Sequence, residues 1–94
     1  MTSSPNRTLF RTNRFFRDAK PLPKSVQEEA FSVAQKLCEN VFHQELNVRE
    51  LVGFKGKYRV VVLKNYRMIF SFDDEKVYLR RIGHRKDIYR NLEL

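Results

Sequence analysis

The chain has 94 residues, 41% of them hydrophobic and 13% aromatic, with a net charge of +8 and an isoelectric point near 10.0. That composition excludes a disordered tail and predicts one domain with one modest core. The cationic excess predicts a nucleic acid or an acidic protein as partner. A single cysteine, Cys38, excludes an internal disulfide and a cysteine-rich metal site, and fits a reducing, cytoplasmic setting. No apolar run approaches the roughly 20 residues that span a bilayer, so no membrane partner is expected.

Residues 1–6 are polar and read as a frayed end, not a signal peptide. Thr8 to Arg11 forms a short first strand, and Thr12 caps a helix carrying Phe15 and Phe16. That helix must end before Pro21, and Pro23 opens the next one at its first turn. Lys24 to Asn40 is the clearest helix. Val26, Ala30, Val33, Leu37 and Val41 recur at spacings of four, three, four and four, and Ala34 and Cys38 widen the stripe. A loop follows from Val41 to Glu45, then a possible strand over Asn47 to Leu51, then a turn at Gly53-Phe54-Lys55-Gly56 without phosphate-loop spacing.

From Lys57 the period changes to two. Tyr58 to Val62, Tyr66 to Phe72 and Val77 to Ile82 read as three antiparallel strands, with Asp73-Asp74-Glu75 as the last turn. A two-residue turn at Lys64-Asn65 would set Val62 opposite Arg67. A three-residue turn at Leu63-Lys64-Asn65 sets Val61 there instead, and gathers Tyr58, Val60, Val62, Tyr66, Met68 and Phe70 on one apolar face. The second is preferred, because a sheet needs one coherent face to bury against the long helix. The predicted class is therefore α+β: N-terminal helices on one face of an antiparallel sheet, a short C-terminal helical segment, and a cationic opposite face carrying Arg59 and Arg67.

The stretch from Arg80 to Arg90 packs five cations, His84 and Tyr89 around Gly83. Unpaired charge at that density is too costly to bury, so it must line a surface that meets something anionic. Three segments, Lys57-Tyr58-Arg59, Asn65-Tyr66-Arg67-Met68-Ile69-Phe70 and Ile82-Gly83-His84-Arg85-Lys86-Asp87-Ile88-Tyr89-Arg90, resemble the RelE/ParE toxin superfamily, on its RelE side. The resemblance implies a type II toxin neutralised by a cognate antitoxin. It further implies a protein that enters the ribosomal A site and cuts mRNA by 2′-hydroxyl attack, with no metal or small-molecule cofactor. It transfers roles to Arg59, Arg67, Arg85 and Tyr89. Val61 stands where several ribonuclease members place a second basic strand residue.

The chemistry can be read beside that resemblance. Cleaving RNA through its own 2′-hydroxyl requires a base for that proton, positive charge at the phosphate and a proton for the leaving oxygen. Arg67 and Arg85 suit the phosphate, since a guanidinium grips two oxygens at once and stays charged. Tyr89 is the candidate base; a free phenol titrates near ~10 and needs neighbouring positive charge to serve. It could instead stack on a base. His84 is the second candidate for proton transfer. Lys55, Lys57, Arg59, Lys64, Arg81, Lys86 and Arg90 are expected to bind RNA phosphates without reading sequence. The histidines and the cysteine lack metal-ligand spacing, and no serine–histidine–acid order is present. The rival readings are a ParE-type gyrase inhibitor on the same fold and an inactive homologue that binds only RNA or antitoxin.

Overall fold

The computed structural model describes residues 6–90 and residue 92. The expected frayed end, apart from Asn6, lies outside the described residues. In chain order the elements are β1 (Thr8–Arg11), α1 (Asn13–Ala19), α2 (Lys24–Glu39), a 3-10 turn (Gln44–Leu46), β2 (Arg49–Glu50), β3 (Tyr58–Val62), β4 (Tyr66–Phe72) and β5 (Lys76–His84).

The capping reading of Thr12 holds. Its hydroxyl accepts from the Phe15 N–H at 3.1 Å and donates to the Leu79 carbonyl at 3.1 Å, so one side chain starts α1 and ties it to β5. Pro23 stands at the cap of α2, one place before the first helical residue, and supplies no side-chain cap. The corner between the helices is held by Gln27, whose amide donates to the carbonyls of Ala19 at 2.9 Å and Leu22 at 3.1 Å. The predicted stripe of α2 is the buried one: Val26, Ala30, Val33, Ala34, Leu37 and Cys38 face inward. They meet Val60, Val62, Met68, Phe70, Leu79 and Ile82 in one core. Each such fully buried aliphatic or aromatic side chain contributes about 1.5–3 kcal/mol. Burial also pushes the Cys38 thiol above its ordinary pKa, so it packs as a small hydrophobe.

The sheet order is β1-β5-β4-β3-β2. β2, β3, β4 and β5 pair antiparallel, as the period-two pattern predicts, but β1 pairs parallel to β5. The two helices carry the chain from one edge of the sheet to the other, and a strand delivered by such a crossover is free to run parallel. Between β3 and β4, Val61 lies opposite Arg67 and Val62 opposite Tyr66, which is the three-residue register. Leu63 and Lys64 pay for that turn in the left-handed region, at φ 45° and 65°.

Between β4 and β5, Ile69 pairs with Arg81 but Phe70 pairs with Leu79, so Arg80 is an extra residue in a β-bulge. Beyond the end of β1, α1 takes over the open edge of β5. Its Asp18 carboxylate accepts from the Ile82 N–H at 3.2 Å and from Arg81 Nε at 2.6 Å. The expected C-terminal helical segment is a single turn: the Ile88 N–H reaches the His84 carbonyl at 2.9 Å, and turns continue to Arg90. Ile88 drops onto Gly83, where an added Cβ would sit 3.2 Å from its Cδ1. A side chain at Gly83 would make Ile88 give way by a few tenths of an ångström, so the glycine lets the turn close without that adjustment.

Candidate nucleic-acid interface

Alternation sends Tyr58, Val60, Val62, Met68 and Phe70 to the helices and Arg59, Val61, Arg67, Ile69, Ser71 and Tyr78 to the opposite face. One line of cross-strand neighbours there runs Arg49, Arg59, Ile69, Arg81 across four strands. Ile69 is fully buried although it lies outside the main core. It is flanked by the stems of Arg59 and Arg81, and long cationic stems readily cover apolar surface while their heads stay polar.

After β5 the chain crosses this face. Ile88 covers Gly83 on β5, and Tyr89 and Leu92 reach the β2–β3 edge of the same face. There, Tyr89 and Arg59 line one open hollow of about 500 Å³ with Arg49, Glu50, Phe54 and Leu92. Neither Arg49 nor Arg59 has a side-chain hydrogen bond or ion pair among the described residues, so both guanidinium groups are available to an anion. The Glu50 carboxylate is engaged by the Gly56 N–H at 2.9 Å. Gly53 and Gly56, at φ 84° and 79°, shape the loop that walls the hollow.

Arg67 stands on the same face, half-buried, outside the hollow's lining. Its Nη1 donates to the carbonyls of Lys64 and Tyr66, both at 2.9 Å. The Arg85 N–H bonds the Asn65 carbonyl at 2.8 Å, so both arginines are anchored at the β3–β4 turn. The side chains of Arg85, Lys55, Lys64, Lys86 and Arg90 are exposed, and Lys57 is half-buried. Asp87 makes a wide 3.8 Å ion pair with Arg90 and none with Arg67.

Two expected site residues are otherwise engaged. Arg81 is not a free phosphate ligand: its side chain is 11% exposed, paired with Asp18, and its Nη1 is buried without a partner. That carboxylate lies 63 positions away, beyond any local pattern. His84 pairs in register with Tyr66 and packs on it edge-on at 5.4 Å, on the helix side of the sheet. Its Nδ1 accepts from the Lys86 N–H at 3.1 Å, which makes it a cap for the C-terminal turn. Arg49 is the functional candidate that sequence reading missed. Its signal was a basic residue in the segment considered as an extra strand, but only the pairing with β3 sets it beside Arg59.

At the opposite end of this face Tyr78 donates to the Asp73 carboxylate at 2.9 Å. Asp73 also accepts the N–H groups of Glu75 and Lys76, and these, with Tyr78, hold its carboxyl below the usual range. The same bond to Asp73 pushes the Tyr78 phenol above its ordinary pKa. Among the described residues no three His, Cys, Asp or Glu side chains gather as a metal site, and no helix is long and apolar enough to cross a membrane.

Two helices on one face of a five-stranded, mostly antiparallel sheet place the chain among small α+β proteins. The family described as "ParE toxin of type II toxin-antitoxin system, parDE" matches residues 9–89. The chain belongs to that family, within the RelE/ParE superfamily of toxins. It is 27% identical over 78 residues to toxin RelE3 of Methanocaldococcus jannaschii, covering 80% of this chain and 86% of that protein. Its fold is that of the toxins in the RelB–RelE antitoxin–toxin complex from Methanococcus jannaschii and the DinJ–YafQ toxin–antitoxin complex from E. coli. The first superposes with TM-score 0.70 at 23% identity, over 89% of this chain and 99% of the other. The second gives 0.75 at 17% identity, over 90% and 99%.

Proposed function

We propose that this toxin is an endoribonuclease that cuts mRNA in the ribosomal A site and so stops translation, without a metal ion. The observation carrying the reading is that Arg59 and Tyr89, drawn from segments 30 positions apart, line one open hollow with the unpaired Arg49. In this reading Tyr89, in its phenolate form, takes the proton of the 2′-hydroxyl. The 2′-oxygen attacks the adjacent phosphorus, the P–O5′ bond breaks, and the departing 5′-oxygen is protonated by water in the open hollow. The products are a 2′,3′-cyclic phosphate and a 5′-hydroxyl end. Arg59 and Arg49 hold the phosphate oxygens as negative charge builds, while Arg67 and Arg85 steer the flanking backbone. Lys55, Lys57, Lys64, Lys86 and Arg90 add salt-dependent affinity for RNA.

The second partner in this proposal is a cognate antitoxin, supported by the relatives solved as antitoxin–toxin complexes. A groove of about 460 Å³ between α1 and α2, lined by Leu9, Phe15, Phe16, Ala19 and Phe31, offers apolar surface for such a protein. A gyrase-inhibiting activity is the competing reading, favoured by the ParE description of the matching family.

Mapping cuts on stalled ribosomes separates them. Wild-type protein should cleave; Arg59→Ala should lose about 10²–10³-fold in rate, and Tyr89→Phe about 10²–10⁴-fold. An intact toxin that leaves messages whole yet blocks DNA supercoiling by gyrase sinks the ribonuclease reading.

A further inference from the structure

The C-terminal turn crosses only one half of the open face. The other half presents a second group of side chains that the hollow does not use. Phe10 on β1 lies beside Tyr78 on β5 in register, and the two rings meet edge-on at 5.7 Å. Tyr78 is in turn paired with Ser71 on β4. The Arg80 guanidinium lies 6.0 Å from the centre of the Tyr78 ring and donates through Nε to the Ser71 hydroxyl at 2.8 Å. Its terminal nitrogens have no partner among the described residues. Phe10 is 49% exposed, although its neighbour Leu9 packs against the core. An aromatic residue held half in water on a sheet face, beside a second ring and a guanidinium, is poorly explained by folding alone.

We propose that Phe10, Tyr78 and Arg80 form a stacking platform for an unpaired base of single-stranded RNA, extending the path of the strand bound at the hollow. The inference rests on the ribonuclease reading and adds to it where the flanking RNA runs. Three features carry it. Aromatic side chains on neighbouring strands of an open sheet face are a general way to stack single-stranded bases, because every base offers a π-face. A guanidinium beside the ring adds a cation for the adjoining phosphate or a second planar surface. The spacing also fits: Ser71, in the platform's row, lies four residues along β4 from Arg67, about 13 Å at the strand rise of roughly 3.3 Å per residue. A strand gripped at Arg59 and Arg67 therefore passes over the platform within a few nucleotides. Asp73 does not oppose this, since its carboxylate is engaged by two backbone N–H groups and the Tyr78 hydroxyl.

The test is fluorescence anisotropy with a labelled single-stranded 2′-O-methyl RNA of about 12 nucleotides, which cannot be cut, and with the matching duplex. Wild type, Phe10→Ala, Phe10→Tyr and Arg80→Gln are compared, each checked for its unfolding midpoint. Phe10→Ala should bind the single strand about tenfold more weakly, Phe10→Tyr should restore binding, and Arg80→Gln should lower the salt slope by about one. Duplex binding should change far less in the Phe10 variants. Single-strand affinity unchanged in folded Phe10→Ala overturns the platform while leaving the ribonuclease reading intact. A wild type that cleaves on the ribosome but binds no single strand overturns the platform alone; one that does neither removes both. Loss of antitoxin affinity with RNA binding preserved would make the patch a protein-docking surface, and the inference would fall.

Discussion

The two faces of the sheet are built from the same strands and obey different rules. On the helix side, shape and apolarity decide everything: Val60, Val62, Met68 and Phe70 are wholly buried and share one core with α2. On the open side, the only wholly buried strand residue, among those described, is Ile69, lying in a row with three arginines. The comparison teaches that stability and reach can be assigned to alternate positions of one strand. A change on one face should then be nearly silent on the other.

The largest expected break of that rule's first half is Phe70→Ala. It should cost about 3–5 kcal/mol in urea unfolding, whereas Arg59→Ala, which removes only the stem beside Ile69, should cost no more than about 1 kcal/mol while losing cleavage. Equal destabilisation by the two would mean that the faces are not independent.

The open face has one place where stability does depend on charge, at Arg81 and Asp18. Asp18→Ala strands a mostly buried guanidinium and the Ile82 N–H, and should cost about 2–4 kcal/mol. Adding Arg81→Met should recover most of that loss, because two apolar partners leave nothing unsatisfied. If the double variant is no better than the single, the ion pair is not the reason that α1 holds the edge of β5.

The smallest effect concerns the β4–β5 turn. The Asp73 carboxyl is held below its ordinary pKa, so its stabilising share is present above the unfolded value of about 3.9 and fades as pH falls through the lower folded value. Asp73→Asn should lower the melting temperature slightly at neutral pH and flatten the acid limb of melts taken between about pH 2 and pH 7. A variant with an unchanged acid limb would show that the turn does not need the charge.

Much of the helix face was legible in the sequence, because periodicity is local: the stripe of α2 and the alternation of β3 and β4 can be read off neighbouring residues. Even the register at Leu63–Asn65 followed from requiring one coherent apolar face. What was hidden depends on partners far away in the chain. The parallel pairing of β1 with β5, the carboxylate beside Arg81 and the alignment of Arg49 with Arg59 are products of tertiary assembly that no window of residues carries. The candidate site was legible in its residue types and only partly in its grouping. Arg59 and Tyr89 share a hollow, Arg67 and Arg85 attach to the adjacent turn, and His84 faces the helices, because the strand's alternation continues past Gly83 and fixes its side.

The bulge at Arg80 has a wider consequence. Two arginines in succession on a regular strand must look in opposite directions, and here the second direction is an apolar interior. One unmatched residue slips the phase, so that both cations escape the core. One of the twins then serves as a rivet between a strand and a helix, and its neighbour keeps a free hand at the surface.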